Sequence, residues 1–296
     1  MDIKDILIKT KSSRHHYIPK FLIKGFENSD GQLYLYNKST DKISSKLRSP
    51  KSVFFETDRN TIIVNEIQTS IIEDQIFDKL DNLTSKLINQ FQLDAINTDL
   101  LSIENQGLFQ FFIINLFWRL PLTDYAVSEL IERVNFTNQY LNADLLKNND
   151  AFRKILRLKL YEYTIEASKK YNQINSKYFV KMSEFKDNEF ILGDNPILFK
   201  STPSEFIDLN IMDYMFAVSS KRIYVSTQEK LGPFNVYFCK IFNALIINQS
   251  QNYIVSNNLK LLEESVNNYR KIKKENLFFE FKKELFSLDY KKIENV

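Results

Sequence analysis

The chain has 296 residues, 44% of them hydrophobic and 26% charged. That is enough apolar mass for a sizeable core and too balanced for wholesale disorder. The formal net charge of +3 lacks the strong basic excess of a dedicated duplex-binding protein, and the single cysteine, Cys239, excludes an intrachain disulfide. Five glycines against 25 phenylalanines and 15 tyrosines favour long helices over an all-β sandwich with many tight turns.

The first residues, MDIKDILIKTKSSRHH, carry no secretory pattern, because the apolar run is short and interrupted by charge. The most apolar stretch, Leu108 to Trp118, contains Gln110 and Asn115 and falls short of the about 18 apolar residues a membrane span needs. A cytoplasmic, soluble protein with no membrane partner is the expectation, folded as a single domain over residues 1–296.

Residues 14–64 read as a short β-containing N-terminal segment. Pro19 can open a helical turn that ends near Gly25. Gln32 to Tyr36 and Lys42 to Leu47 suit a hairpin, and Val53 to Phe55 and Thr61 to Val64 are strand candidates. A helical region follows over 65–172. Ile67, Ile71, Ile76, Leu80, Leu83, Leu87 and Phe91 recur at helical spacing, which predicts a helix from Asn65, its N-cap, to Phe91. A second helix, Ile103 to Leu120, is apolar nearly all round and stops at Pro121. A third is expected from Thr123 to about Leu146 and a fourth from Asp150 to about Tyr171.

From Tyr178 the period changes. YFVKM, EFIL, ILF, MFAVS, IYVS, VYFCKIF, ALIINQ and NYIVS are short, aromatic or β-branched, and divided by turn residues. They predict an antiparallel or mixed sheet over 178–256. Cys239, inside VYFCKIF, reads as a small buried hydrophobe rather than a reactive thiol. A C-terminal helix over 259–290 closes an α+β layout.

Several polar residues could carry chemistry. The chain's two histidines, His15 and His16, are adjacent, and histidine is both a proton exchanger near neutral pH and a common metal ligand. Neighbours on a strand face opposite sides, so one would enter a pocket; the alternative is a partly exposed pair in an N-terminal segment. Glu73 falls between Phe77 and Leu80 in the apolar arc of its helix, where a carboxylate must be paired, protonated or metal-bound. Glu66, one heptad earlier, simply complements a helix dipole. Arg119, at the end of the most apolar helix with Asn115 one turn before it, is the natural partner for Glu73 and could clamp a carboxylate or a phosphate. A buried Glu73–Arg119 pair that only fixes helix packing is the competing reading. Asp194, in GDNP at residues 193–196, is first of all a turn residue, and it sits where acidic catalytic or metal-binding groups are often found.

Glycine-rich phosphate loops, dinucleotide fingerprints, CxxC pairs, HExxH and GxSxG are all missing from the sequence. HHYIP looks like the first histidine segment of HNH nucleases, but no third histidine follows. RHHYIPKFL (14–22), GQLYLY (31–36), the paired Glu66 and Glu73, RLP (119–121), GDNP (193–196) and the expected Asn243 to Asn248 strand resemble, in order, a bacterial family catalogued as domain of unknown function 4238. Gly193 departs from the serine expected before the aspartate. The resemblance implies a common fold and a shared pocket of His15, His16, Glu73, Arg119 and Asp194, with no established activity. Carboxylates with histidine suit water activation and arginine suits phosphate. The leading expectation is a hydrolase of a phosphate-containing substrate, nucleic acid or small molecule, with a divalent metal ion as the cofactor it could use. The rival is a non-enzymatic sensor or toxin-type interaction protein of a bacterial defence or stress module.

Overall fold

The computed structural model describes residues 14–64, 67–70, 72–93, 102–133, 148–171, 179–187, 189–201, 209, 212–228 and 234–287. It is α+β. Strand β1 (Arg14–His16) pairs antiparallel with β4 (Phe55–Thr57), His16 opposite Phe55. A one-turn helix α1 (Lys20–Lys24) lies between β1 and the hairpin of β2 (Tyr34–Asn37) and β3 (Lys42–Ile43). β5 (Ile62–Val64) pairs with β6 (Ile67–Thr69). Among the described residues, longer helices follow: α2 (Asp78–Leu93), entered through a π-turn over Ile72–Phe77, then α3 (Ile103–Arg119), α4 (Leu122–Arg133) and α5 (Asp150–Tyr171).

The second half of the chain carries β7 (Phe179–Glu184), β8 (Leu192–Gly193), β9 (Ile197–Phe199), β10 (Tyr214–Ser219) and β11 (Arg222–Thr227). After these come helix α6 (Val236–Gln249), strand β12 (Tyr253–Ser256) and helices α7 (Leu259–Glu275) and α8 (Phe278–Ser287). Two four-stranded sheets result, ordered β7-β11-β10-β9 and β3-β2-β12-β8. The second joins the N-terminal hairpin to the end of the chain.

Helix α3 is the hinge of the packing. Ser102 caps its first turn, and everything from Phe112 to Arg119 is buried. Phe109 stacks on Tyr224 of β11 at 3.8 Å, and Phe112 meets Phe216 of β10 edge-on at 6.0 Å. One hydrophobic cluster extends from Tyr17 to Phe286. No described helix is long and apolar enough to cross a membrane.

Three sequence expectations need correction. Ile67–Thr69 is strand, not the start of the long helix; Ile62, Ile63, Val64, Ile67 and Thr69 are β-branched, and the hairpin takes them. Asn65 and Glu66, and the end of the third helix beyond Arg133, lie outside the described residues. VYFCKIF and ALIINQ, including Asn243 to Asn248, form helix α6 instead of two strands. Asn235 caps α6 by accepting from the Phe238 amide, and from Phe238 to Ile247 only Lys240 is exposed, which leaves no polar stripe wide enough to betray the period. Cys239 is buried there, with its thiol pushed up by burial. Finally, the closing helix is two helices, because Asn276 adopts the left-handed conformation at φ 56° and ends α7.

Gly193 has a packing reason. A Cβ there would overlap the Ser250 Oγ and lie 2.9 Å from Ile246 Cγ2, where the end of α6 crosses β8. Gly193→Ala should cost about 1–3 kcal/mol through overpacking. Ser250→Ala, which removes the obstructing oxygen, should recover part of that loss in the double mutant, measured by urea denaturation.

Candidate functional site

β1 places both histidines inside. His15 is fully buried, and its Nδ1 accepts from the Asn60 amide at 2.9 Å. That hydrogen bond leaves Nε2 as the protonated nitrogen. His16 is 7% exposed, its ring 5.7 Å from Phe55, and its Nε2 is buried without a hydrogen-bond partner. Burial, then the nearby Lys20 charge, lowers its pKa from 6.5 to about 4. The Pro50 and Lys51 carbonyls pull the other way, and the Arg119 charge adds to the lowering. His16 is therefore neutral at neutral pH.

Glu73 and Arg119 do not pair with each other, which corrects the expected Glu73–Arg119 bridge. Glu73 sits in the π-turn and accepts from Asn60 Nδ2 at 2.7 Å. Arg119 donates to Asp81 Oδ1 at 2.5 Å and to the His16 carbonyl at 2.8 Å, with its guanidinium 4.7 Å above the Phe77 ring. Asp81, one helical turn beyond Phe77, takes the place given to Glu73. Burial raises the Asp81 carboxyl although Arg119 opposes it.

The connecting residues were not among the candidates. Arg59 donates five hydrogen bonds: to the Arg119 and Leu120 carbonyls, to Glu56 at 2.7 Å, and to both oxygens of Asp124. Arg157 donates to Asp124 at 2.9 Å and to Asn60 Oδ1 at 2.7 Å. Asn60 thus joins His15, Glu73 and Arg157. Burial, with the neighbouring Arg59 charge, lowers the Arg157 pKa to about 10. Arg157 was findable, since Arg157, Tyr161, Thr164 and Ser168 form a buried stripe at helical spacing. Arg59 and Asn60 follow Asp58, which has φ 55°; a turn has no period, and no sequence pattern marks them.

Asp194 belongs to another region. Its carboxylate accepts from the backbone amides of Gln251, Asn252 and Tyr253 at 2.6–2.9 Å. Lys38 reaches the Asn248 and Ser250 carbonyls beside it. Burial raises the Asp194 carboxyl against the pull of those three amides and of Lys38. His15, His16, Glu73 and Arg119 are thus joined in one network, and Asp194 holds the turn into β12.

An open cleft of about 360 Å³ borders the network. Glu56, Asp58 and Arg59 line one side, Asp124 of α4 another, and Asp150, Arg153, Lys154 and Arg157 of α5 the third. Lys154 is committed to the Asp58 and Thr61 carbonyls and to Asp150. Arg153 is not: its contact with Asp150 is long, 3.5 Å, and its Nε is buried without a partner. Among the described residues no group of three or more His, Cys, Asp or Glu is placed to hold a metal ion.

An α+β protein whose helices and N-terminal strands are tied by a buried arginine–carboxylate network, with a charged cleft beside it, is the class that fold and site define. The chain belongs to the family described as protein of unknown function (DUF4238), whose model matches residues 14–260. No curated protein and no solved structure matches the chain significantly.

Two predictions follow from these bonds. Arg119→Ala strands the Asp81 carboxylate and should cost about 3–5 kcal/mol. Asp194→Ala removes three charge-assisted hydrogen bonds to the amides of the exposed 251–253 turn and should cost about 1–2 kcal/mol. Thermal melts of the two variants check both.

His16 predicts an acid-labile term. The unfolded chain takes up a proton near pH 6.5 and the folded chain only near 4, so the contribution is full above 6.5 and is lost as pH falls through 4. The loss should be about 3 kcal/mol. The difference in unfolding free energy between the wild type and His16→Gln, followed from pH 7 to pH 4, should shrink by that amount.

Proposed function

We propose that the protein takes a phosphate-containing ligand in the cleft between the β4–β5 turn and helix α5. The observation that carries this reading is Arg153, the cleft guanidinium left without a full set of partners while Arg59 and Lys154 are spent on internal bonds. A planar fork of donors suits a phosphate bidentately. The N-terminal turn of α5, which begins at Asp150, opens on the same cleft, and its dipole favours an anion.

The hydrolase reading moves with the ligand. His15 and His16 are buried and neither lines the cleft, so neither is offered as the general base. Asp58 lines the cleft, and its carboxylate accepts a long contact, 3.4 Å, from Thr61 Oγ1. We assign to it the role of orienting an attacking water against a phosphate ester, whether a nucleic-acid strand or a smaller diester. The non-enzymatic interaction protein remains a second reading. It is favoured by the commitment of His15, Arg119 and Asp194 to bonds inside the protein.

The test is binding first and turnover second. Inorganic phosphate should raise the thermal midpoint of the wild type, since a ligand at about 100-fold its Kd adds about 2.7 kcal/mol. Arg153→Ala should lose that response with its own melt unchanged in the absence of phosphate. A chromogenic phosphodiester should be cleaved by the wild type and not by Asp58→Asn. Phosphate binding without cleavage would leave a binding protein; no binding would remove the reading.

A further inference from the structure

Asn115 sits in the middle of the buried stretch of α3. It is fully buried between Ile114 and Leu116, and neither its Oδ1 nor its Nδ2 has a hydrogen-bond partner. One helical turn on, the buried Arg119 donates from its two terminal nitrogens to Asp81 and to the His16 carbonyl, while its Nε–H has no partner. Residues four apart lie on one face of a helix, so an acceptor and two kinds of donor are unmet side by side. A buried polar group without a partner forfeits its hydration with nothing in return, and a charged one forfeits most.

The helices around this face have no proton to spare for Asn115 Oδ1. α2 runs antiparallel to α3, with Asp81 against Arg119 and Phe91 against Phe109 at 5.3 Å. The same register brings Asn115 level with Thr84, whose hydroxyl donates back to the Leu80 carbonyl at 2.9 Å. On the side of α5, Thr164 accepts from Trp118 Nε1 and donates to the Leu160 carbonyl.

We infer that ordered water is bound on this face of α3 and bridges Arg119 Nε to the Asn115 amide. The donor set selects water. It accepts from Nε–H and Nδ2–H and donates to Oδ1, whereas an anion can only accept. An anion would also bring negative charge beside Asp81, which already balances Arg119. The span fits: side chains one turn apart start about 5–6 Å from each other, the reach of two hydrogen bonds of about 2.9 Å through one water oxygen. Buried waters are held in this way, by polar groups that the protein itself leaves unmet. With the bridge in place each nitrogen of Arg119 has a partner, and the guanidinium that fixes β1 through the His16 carbonyl is steadied from its third side. The bridge is independent of what the charged cleft binds.

The intact protein, deuterated at carbon, is read by NMR at the Arg119 Nε–H and Asn115 Nδ2–H signals. Both should show cross-peaks to water that change sign between NOESY and ROESY spectra, which separates a held water from proton exchange. Asn115→Leu, close in shape, should abolish the Arg119 cross-peak. Asn115→Ser, which keeps a hydroxyl for water to bond, should retain it. The melting midpoint should not depend on chloride at constant ionic strength.

Wild-type spectra without a water cross-peak at either group would overturn the bridge. Cross-peaks between the Asn115 and Arg119 side-chain protons, with none to water, would replace it by a direct bond. An Arg119 cross-peak that persists in Asn115→Leu would assign the water to Arg119 alone and overturn the bridge. A midpoint that climbs with chloride in the wild type and not in Asn115→Leu would assign the site to an anion. Should either variant fail to fold, the wild-type cross-peaks decide alone.

Discussion

A helix as apolar as α3 can be buried only if its last carbonyls find donors, and Arg59 supplies them. The last turn of any α-helix leaves carbonyls without intrahelical partners, and in a dry interior each would cost about 1–3 kcal/mol. Pro121 stops the chain from continuing the helix and has no amide to offer. The guanidinium of Arg59 donates to the Arg119 and Leu120 carbonyls and turns its other donors to Glu56 and Asp124. A buried charge with all its donors used is tolerable where a half-satisfied one is not. Through Asp124 the constraint passes to Arg157, through Asn60 to His15 and Glu73, and through the Arg119 side chain to the His16 carbonyl. The N-terminal strand, the helical layer and the β4–β5 turn are thereby set relative to one another by charge-assisted bonds.

How legible an element is in the sequence depends on how much water it meets. α5 is half wet, so its apolar stripe alternates with charge and its limits, Asp150 and Tyr171, can be read from the periodicity. α3 is dry, but Pro121 marks its end. α6 has neither aid: Phe238, Ile241, Phe242, Leu245, Ile246 and Ile247 are all buried, and a helix apolar all round looks like a run of core strands. The reverse error occurs at Ile67, where an isoleucine of the β5–β6 hairpin falls by chance on the stripe of the following helix.

For the site, a carboxylate turned inward on a helix is a sound physical signal, and Glu73 is indeed bonded to a buried partner. What the azimuth cannot give is which partner. The choice between Asn60 and Arg119 is made by a turn whose position depends on β1 pairing with β4 across 40 residues of chain. Asp194 illustrates the opposite case. Asp-Asn-Pro is a turn signal, and the carboxylate does what turn aspartates do, collecting backbone amides.

The network and the cleft are two faces of the same residues, and that has an energetic consequence. Arg157 is one helical turn beyond Arg153, and Lys154 holds the Asp58 and Thr61 carbonyls on the far wall. An anion drawn to Arg153 adds its charge next to Asp124 and Asp150, whose own cations then become more valuable. Binding of the proposed anion would thereby be coupled to the bonds that fix α5 against the β4–β5 turn. A ligand seated there would stabilise the folded state beyond its direct contacts, and loosening the network would weaken the ligand by the same amount, because the coupling is reciprocal. Asn60 would bear on such a ligand only by holding the walls it meets, and Arg59 is itself part of one wall.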